Sequence, residues 1–141
     1  MVEPARSLLA GSAATAALVV PVPLSRGRQR ARGYNQAERL AAPLAGMLGL
    51  ELATSLLRVR ETAPQVGLSR PARRTNVRGA FSAAGALPGE GAKGPERSLA
   101  GSCVLLVDDV TTTGSTLGSA ASACLAAGAQ AVYGVTLARE A

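Results

Sequence analysis

The sequence predicts an α/β fold in which a mostly parallel sheet is flanked by helices. Three consecutive elements carry this prediction: a strand at Cys103–Val107, a helix at Ser115–Ala127 and a strand at Ala131–Leu137. A strand, a helix and a second strand in this order usually form parallel neighbours in one sheet. The helix has apolar residues on one face, and Gly128 follows where a C-terminal cap belongs. The length of 141 residues fits a single domain over 1–141.

Upstream elements are predicted in the same way. In chain order they are a helix at Leu8–Ala17, a strand at Leu18–Leu24, a strand at Ser55–Val59 and a strand at Gly79–Ala83. Residues 25–36 predict a loop in which arginines alternate with other residues. A helix should follow, because Asn35 and Glu38 have the spacing of a capping box. We expect Pro43 to kink this helix and Gly49 to end it.

Three further segments lack a clean period. Residues 60–78 are polar and basic and predict a long loop. Residues 84–101 contain five glycines and two prolines, which predicts a surface insertion without a function of its own. The apolar run at residues 7–24 is interrupted by polar residues and closed by prolines, which disfavours a secretory signal or a membrane span. We therefore expect a soluble cytoplasmic protein without a membrane partner.

The charge of the chain is positive and unevenly distributed. The net charge is +6, and eleven arginines but only three acids lie between Arg26 and Arg78. Such a region attracts anions, either as a solvated basic face or as a phosphate or nucleic-acid site. Two cysteines without histidine exclude the usual Cys/His zinc site and any Ser–His or Cys–His nucleophile pair, so no zinc is expected. Cys103 and Cys124 should be small buried hydrophobic residues.

The stretch Val104–Thr116, VLLVDDVTTTGST, is the most informative. It carries the only two aspartates of the chain, Asp108 and Asp109, at the end of an apolar strand. Ligands of open parallel sheets bind at the carboxyl ends of strands, and a helix N-terminus offers unpaired N–H groups to an anion. The residues that follow add hydroxyl donors and close backbone approach: Thr111, Thr112, Thr113, Gly114, Ser115 and Thr116.

This combination predicts a phosphate cradle beside two carboxylates. Carboxylates repel phosphate, so they should hold sugar hydroxyls or a divalent cation. The alternative is a capped helix with solvated aspartates, but two adjacent carboxylates repel each other and need compensation. The glycine-rich motifs of P-loop nucleotidases and of dinucleotide-binding folds are both absent from the sequence.

VLLVDDVTTTGST resembles the signature of type I phosphoribosyltransferases, which bind phosphoribosyl pyrophosphate. Two other segments, PVPLSRGRQRARGYNQAERLA and TAPQVGLSRPARRTNVRGAF, resemble the ComF family of competence-associated, phosphoribosyltransferase-like proteins. The matching segments cover most of Val19–Leu137, apart from residues 84–101. The cysteine-rich zinc segment with which ComF-like proteins often begin is absent from this sequence, so we expect either a short form of the family or a truncated reading frame. Ser115 stands where many relatives have a second glycine.

The resemblance implies a Rossmann-like phosphoribosyltransferase core with residues 60–78 as a flexible hood. Asp108 and Asp109 would contact the ribose hydroxyls, directly or through Mg²⁺, and Thr111–Thr116 would hold the 5′-phosphate. Arginines of two segments are candidate contacts for the pyrophosphate: Arg26, Arg28, Arg30 and Arg32 after the first strand, and Arg70, Arg73 and Arg74 in the hood. The implied activity is transfer of a phosphoribosyl group to an unidentified base or amine, with release of pyrophosphate.

Two other functions stay open at this point. The chain could bind the same ligand without catalysis, or it could be an accessory protein of DNA uptake. Only Tyr34 and Phe81 supply aromatic rings within the basic region, which disfavours base stacking on single strands. The resembled fold often forms dimers, so a homodimer is also open, although the sequence contains no evident self-complementary patch.

Overall fold

The computed structural model of the chain describes residues 1–11, 16–58, 67, 69, 71–72, 78–83 and 97–140. In chain order the elements are α1 (Val2–Ala10), β1 (Ala17–Pro21), α2 (Arg26–Arg32), α3 (Gln36–Leu48), β2 (Glu51–Leu52), β3 (Leu56–Arg58), β4 (Phe81–Ala83), β5 (Cys103–Thr111), α4 (Ser115–Ala126) and β6 (Ala131–Arg139). None of the described helices is long and apolar enough to cross a membrane.

Four strands form a parallel sheet in the order β2-β1-β5-β6. The predicted α/β class and the parallel β5-α4-β6 unit are therefore confirmed. The two central strands, β1 and β5, pair from Ala17 with Cys103 to Pro21 with Val107. Their carboxyl ends consequently lie side by side, which is where open parallel sheets bind ligands. The predicted strands near residues 56 and 81 are confirmed as β3 and β4, which form a separate antiparallel pair.

The sheet is buried on both faces. Successive side chains of a strand point to opposite faces, so Val104 and Leu106 pack toward α4 and the β3-β4 pair, while Leu105 packs toward α1 and α3. Helices on both faces are the usual cover of a parallel sheet. Cys103 and Cys124 are both buried and free, as predicted, and burial raises the pKa of the Cys124 thiol to about 11.

The first predicted helix is wrong in its position. The helix α1 ends at Ala10, whereas the prediction ran from Leu8 to Ala17, and Ala17 instead begins β1. Alanine-rich sequence is compatible with a helix as well as with a buried strand. Pairing of Ala17 with Cys103 of β5 decides the outcome, and that pairing joins residues far apart in the chain.

The predicted loop at residues 25–36 is also wrong, because it contains α2. The Ser25 hydroxyl caps this helix by accepting a hydrogen bond from the Arg28 N–H at 3.4 Å. Gly33, at φ 77°, ends it with a left-handed turn in which its N–H donates to the Gln29 carbonyl. The sequence did contain a signal for this helix, because Ser25 precedes and Gly33 follows a run of mostly good helix formers.

The helix α3 begins and ends as predicted. The Asn35 Oδ1 accepts a hydrogen bond from the Ala37 N–H at 3.0 Å, and Gly49 ends the helix at φ 67°. Asn35 has a second contact, since its Nδ2 donates to the Val22 carbonyl at 3.0 Å. Pro43 lies within the helix, and its kink stays a prediction. This buried asparagine thus joins the end of β1 to the start of α3.

Strand β5 is longer than predicted. It continues through Asp108 and Asp109 to Thr111, because β6 pairs with it as far as Thr111 and Arg139. Residues 84–96 of the predicted insertion and most of the predicted hood lie outside the described residues. The end of the predicted insertion is not a surface loop, since Leu99 is buried in the core on the α4 side.

Candidate functional site

A cleft of about 300 Å³ opens at the carboxyl ends of β1 and β5. The loop after β1 and helix α2 form one wall, and the end of β5 with the start of α4 forms the other. All residues that were predicted on the β5 side line the cleft: Asp108, Asp109, Thr111, Thr112, Thr113, Gly114, Ser115 and Thr116. The structure thus brings together the two parts of the motif, the carboxylates and the hydroxyl-rich turn.

Four of the predicted arginines lie on α2, and only two of these four line the cleft. An α-helix has about 3.6 residues per turn, so residues four apart share a face. Arg28 and Arg32 therefore point to one side and line the cleft, while Arg26 and Arg30 share the other side and are not part of its lining. Arg70, Arg73 and Arg74 of the predicted hood lie outside the described residues.

The two carboxylates are half-buried, and each accepts a backbone hydrogen bond. The Asp109 N–H donates to Asp108 Oδ1 at 2.9 Å, and the Val110 N–H donates to Asp109 Oδ1 at 2.8 Å. The pKa of Asp108 is raised to about 7, mainly by burial and in part by the neighbouring Asp109 carboxylate, whereas the hydrogen bond from the Asp109 amide and the Arg58 charge oppose the rise. A bound cation would favour the ionised form of this carboxyl group.

The turn that follows β5 forms a compact cluster of hydroxyls and amides. The Thr111 hydroxyl accepts from the Gly114 N–H at 3.1 Å, and the Thr113 hydroxyl accepts from the Ser115 N–H at 3.4 Å. Gly114 has a φ of 75°, a conformation that side chains rarely adopt, and it begins α4 without a side-chain cap. Phosphate oxygens are stronger acceptors than hydroxyls, so an anion in the cleft would take over these amides.

Two charged residues of the lining, Arg58 and Glu140, were not predicted from the sequence. Arg58, at the end of β3, has its guanidinium carbon 5.3 Å from the centre of the Phe81 ring. In the sequence, Arg58 could be recognised only as one arginine of the basic region, within the predicted strand Ser55–Val59. Glu140 follows β6, and its N–H donates to the Thr111 carbonyl at 2.9 Å. Nothing in the sequence indicated Glu140, because only the register of β6 on β5 brings it to the cleft.

The donor set of the cleft fits a magnesium ion that is shared with a phosphate ligand. Among the described residues, no group of three or more His, Cys, Asp or Glu side chains could hold a metal ion. The adjacent Asp108 and Asp109 supply two carboxylates. Mg²⁺ typically takes one or two protein carboxylates and completes its shell with water and substrate phosphates. The residues present therefore fit this ion when a phosphate ligand accompanies it.

Comparison with known proteins gives clear relatives, although no family model matches the chain. "Competence protein F" of Haemophilus influenzae is 43% identical over 100 residues, which cover 70% of this chain and 40% of that protein. The "DNA utilization protein YhgH" of Salmonella typhimurium is 37% identical over 115 residues, which cover 81% of this chain and 45% of that protein. The YhgH protein of Escherichia coli is 36% identical over the same length.

The chain spans less than half the length of these curated relatives. The similar segment nevertheless covers most of this chain, and the identity is well above the level at which unrelated sequences align. It agrees with the motifs after β1 and at the end of β5, which line a common cleft in the fold. The chain belongs to the ComF family.

Proposed function

We propose that the cleft binds phosphoribosyl pyrophosphate together with Mg²⁺, and that the protein transfers the phosphoribosyl group to a base or amine. One observation carries the proposal: two adjacent carboxylates, a hydroxyl-rich turn at a helix start and two arginines line the same cleft. Each of these three features matches a different part of the ligand.

The 5′-phosphate fits the hydroxyl-rich turn, Thr111–Thr116. Amides and hydroxyls converge there, and the first turn of α4 adds the positive end of the helix dipole. Gly114 keeps the backbone accessible because it has no side chain, and an added Cβ would meet only open space. The start of α4 lacks a side-chain cap, which leaves room for a ligand oxygen in the position of the cap.

The ribose fits the carboxylates at the end of β5. Asp108 and Asp109 are hydrogen-bond acceptors, and the 2′- and 3′-hydroxyls of a ribose are donors. Bound Mg²⁺ would neutralise negative charge on the pyrophosphate. Arg28 and Arg32, on the opposite wall, supply two further positive charges for the same group.

The reaction requires a charged leaving group to be stabilised. The bond between C1′ and the pyrophosphate oxygen breaks, its electron pair goes to the pyrophosphate, and a bond forms between C1′ and a nitrogen of the nucleophile. The positively charged arginines would stabilise the negative charge that develops on the leaving oxygen. The chain contains no histidine to act as a base. A nucleophile that arrives deprotonated, or that loses its proton to solvent after transfer, needs no histidine base.

A second candidate function is DNA handling, which is supported by the names of the relatives. Arg26 and Arg30 are exposed on α2 and do not line the cleft. Tyr34 is 43% exposed, with the Arg39 guanidinium 4.8 Å from the centre of its ring. Positive charge beside an exposed ring is the chemistry that binds single strands, although one ring gives a small stacking surface.

The proposed function is tested by calorimetric titration with phosphoribosyl pyrophosphate, with Mg²⁺ and after its removal by EDTA. The variant is Asp108→Asn combined with Asp109→Asn, and Glu38→Gln, on the exposed face of α3, is the control for loss of a carboxylate. We expect Mg²⁺-dependent binding that the double variant weakens by at least about 100-fold, because charged hydrogen bonds contribute about 1.5–3 kcal/mol each. Unchanged affinity in a folded double variant would exclude the assigned site.

Two further measurements separate the remaining alternatives. Release of pyrophosphate in the presence of a base or amine identifies an enzyme, whereas binding without release identifies a ligand-binding protein. Fluorescence anisotropy of a single-stranded oligonucleotide at about 50 and about 200 mM salt tests DNA handling, since phosphate contacts weaken steeply with salt. Salt-dependent binding that phosphoribosyl pyrophosphate leaves unchanged would favour the second candidate.

A further inference from the structure

A second and larger space, of about 710 Å³, lies beside the cleft. It is a groove between α4 and β4, and three of its lining residues, Thr113, Gly114 and Ser115, also line the cleft. The groove and the cleft therefore meet at the hydroxyl-rich turn. The volume falls in the range of small-molecule sites, about 300–1,000 Å³.

A phosphate bound at the hydroxyl-rich turn would lie between the two spaces, with the cleft and its carboxylates on one side and the groove on the other. A terminal phosphate, as in phosphoribosyl pyrophosphate, uses only the cleft. A phosphate that carries a substituent on each side would extend into both spaces, and the proposed function leaves the larger of the two unoccupied.

The lining of the groove indicates what kind of substituent it accepts. Phe81 and Ala123 contribute apolar surface, and Arg78 contributes a positive charge. Ser119 and Ser122 add hydroxyls, the latter donating to the Gly118 carbonyl at 2.9 Å. Among the described residues, neither aspartate nor glutamate lines the groove. Apolar surface, hydroxyls and positive charge without carboxylates match a nucleoside next to a phosphate.

We propose that the groove binds a nucleoside that is joined to the phosphate at the hydroxyl-rich turn. The preferred ligand then contains a phosphoribosyl group extended through its own phosphate, as in a dinucleotide or in a nucleic-acid strand. This inference rests on the proposed function, since it uses the same position for the phosphate.

The test compares ribose 5-phosphate with ADP-ribose, which is the same ribose 5-phosphate extended through its phosphate by a nucleotide. Calorimetry should give at least about tenfold tighter binding of ADP-ribose to the natural chain, a difference of about 1.4 kcal/mol. The groove is narrowed by Gly118→Leu, because Gly118 lines it and an added Cβ meets no atom within 4 Å. Leucine is also the better helix former, so the fold is retained.

Gly46→Leu is the matched control. Gly46 is exposed in α3 and is equally free of contacts to an added Cβ, but it does not line the groove. We expect Gly118→Leu to abolish the preference for ADP-ribose and to retain the affinity for ribose 5-phosphate, while Gly46→Leu retains both. A short oligouridylate, which keeps the ribose, is titrated in parallel and distinguishes the two sources of the ligand: tighter binding than ADP-ribose indicates a strand, and weaker binding indicates a dinucleotide.

The failure of this inference differs from the failure of the proposed function. Binding of phosphoribosyl pyrophosphate without a preference for ADP-ribose, or a preference that survives in Gly118→Leu, overturns the inference alone. If neither phosphoribosyl pyrophosphate nor ribose 5-phosphate binds to the folded chain, both the proposed function and the inference are overturned.

Discussion

The two central strands lead into segments of opposite charge. Strand β1 leads into α2, which carries four arginines and no acid, whereas β5 leads through both aspartates of the chain into α4, which carries no charge. The two strands are adjacent and parallel, so both ends reach the same cleft. A ligand in this cleft meets positive side chains on one wall and carboxylates with a hydroxyl-rich turn on the other.

The two helix starts differ as well. The Ser25 hydroxyl caps α2, and that helix offers its side chains to the cleft. Helix α4 begins at Gly114 without a side-chain cap, and there the backbone and short hydroxyls face the cleft. The same topological position therefore provides charge in two ways, through long side chains after β1 and through backbone dipoles after β5.

After the loss of both carboxylates, the next strongest expected effect is that of the arginines on the two faces of α2. Replacement of Arg28 and Arg32 together by glutamine should weaken binding of phosphoribosyl pyrophosphate by about 30-fold or more, since two charged hydrogen bonds are lost. Replacement of Arg26 and Arg30 together removes the same charge from the outer side. That control should change the affinity by less than about threefold, because distant exposed charges are screened by salt. Equal losses in the two variants, measured by calorimetry, would contradict the assignment of two faces.

The next effect concerns the buried Asn35, which joins the residue after β1 to the start of α3. Asn35→Ala removes the cap of α3 and leaves the buried Val22 carbonyl without this donor. We expect a loss of about 2 kcal/mol in the free energy of unfolding, measured with urea. Ser25→Ala is the comparison and should cost only about 0.5–1 kcal/mol, since it removes one longer hydrogen bond. A smaller loss for Asn35→Ala than for Ser25→Ala would show that the asparagine does not join the two elements.

The smallest expected effect concerns the carboxylates of the β5 wall without ligand. The folded chain raises the Asp108 pKa from 3.8 to about 7. Between these pH values the folded state binds more protons than the unfolded state, so this residue lowers stability as the pH rises toward 7. Asp108→Asn removes the effect and should stabilise the unliganded protein by roughly 1 kcal/mol at pH 8, a value discounted for solvent screening.

A comparison of the stability gain of Asp108→Asn at low and at high pH serves as the control for this prediction. At about pH 3, below both pKa values, both states of the natural chain are largely protonated at Asp108, so the gain in stability should nearly vanish. Urea unfolding of the variant and of the natural chain at both pH values measures the difference. A gain that is equal at the two pH values would mean that the carboxylate is not destabilised by its burial.

Much of the β5 wall could be predicted from the sequence. The apolar run before Asp108, the hydroxyls after it and the glycine at 114 are neighbours in the chain, so local spacing was enough to indicate a ligand site at a strand end. The helix α4 and the parallel pairing of β5 with β6 followed from periodicity and from the order of the elements. The capping of α3 by Asn35 was also visible, because a cap depends on residues within a single turn.

The β1 wall and the remaining lining required the tertiary structure. The alternating arginines suggested a loop with all four side chains available, but the helix divides them into two faces, and only its position in the fold determines which face lines the cleft. Arg58 and Glu140 reach the cleft through the position of β3 and the register of β6. Local chemistry could thus be inferred from the sequence, because caps, turns and periodicity depend on residues within a few positions of one another. The set of distant groups that share the cleft followed only from the folded structure, since strand pairing and burial join residues that have no fixed spacing in the chain.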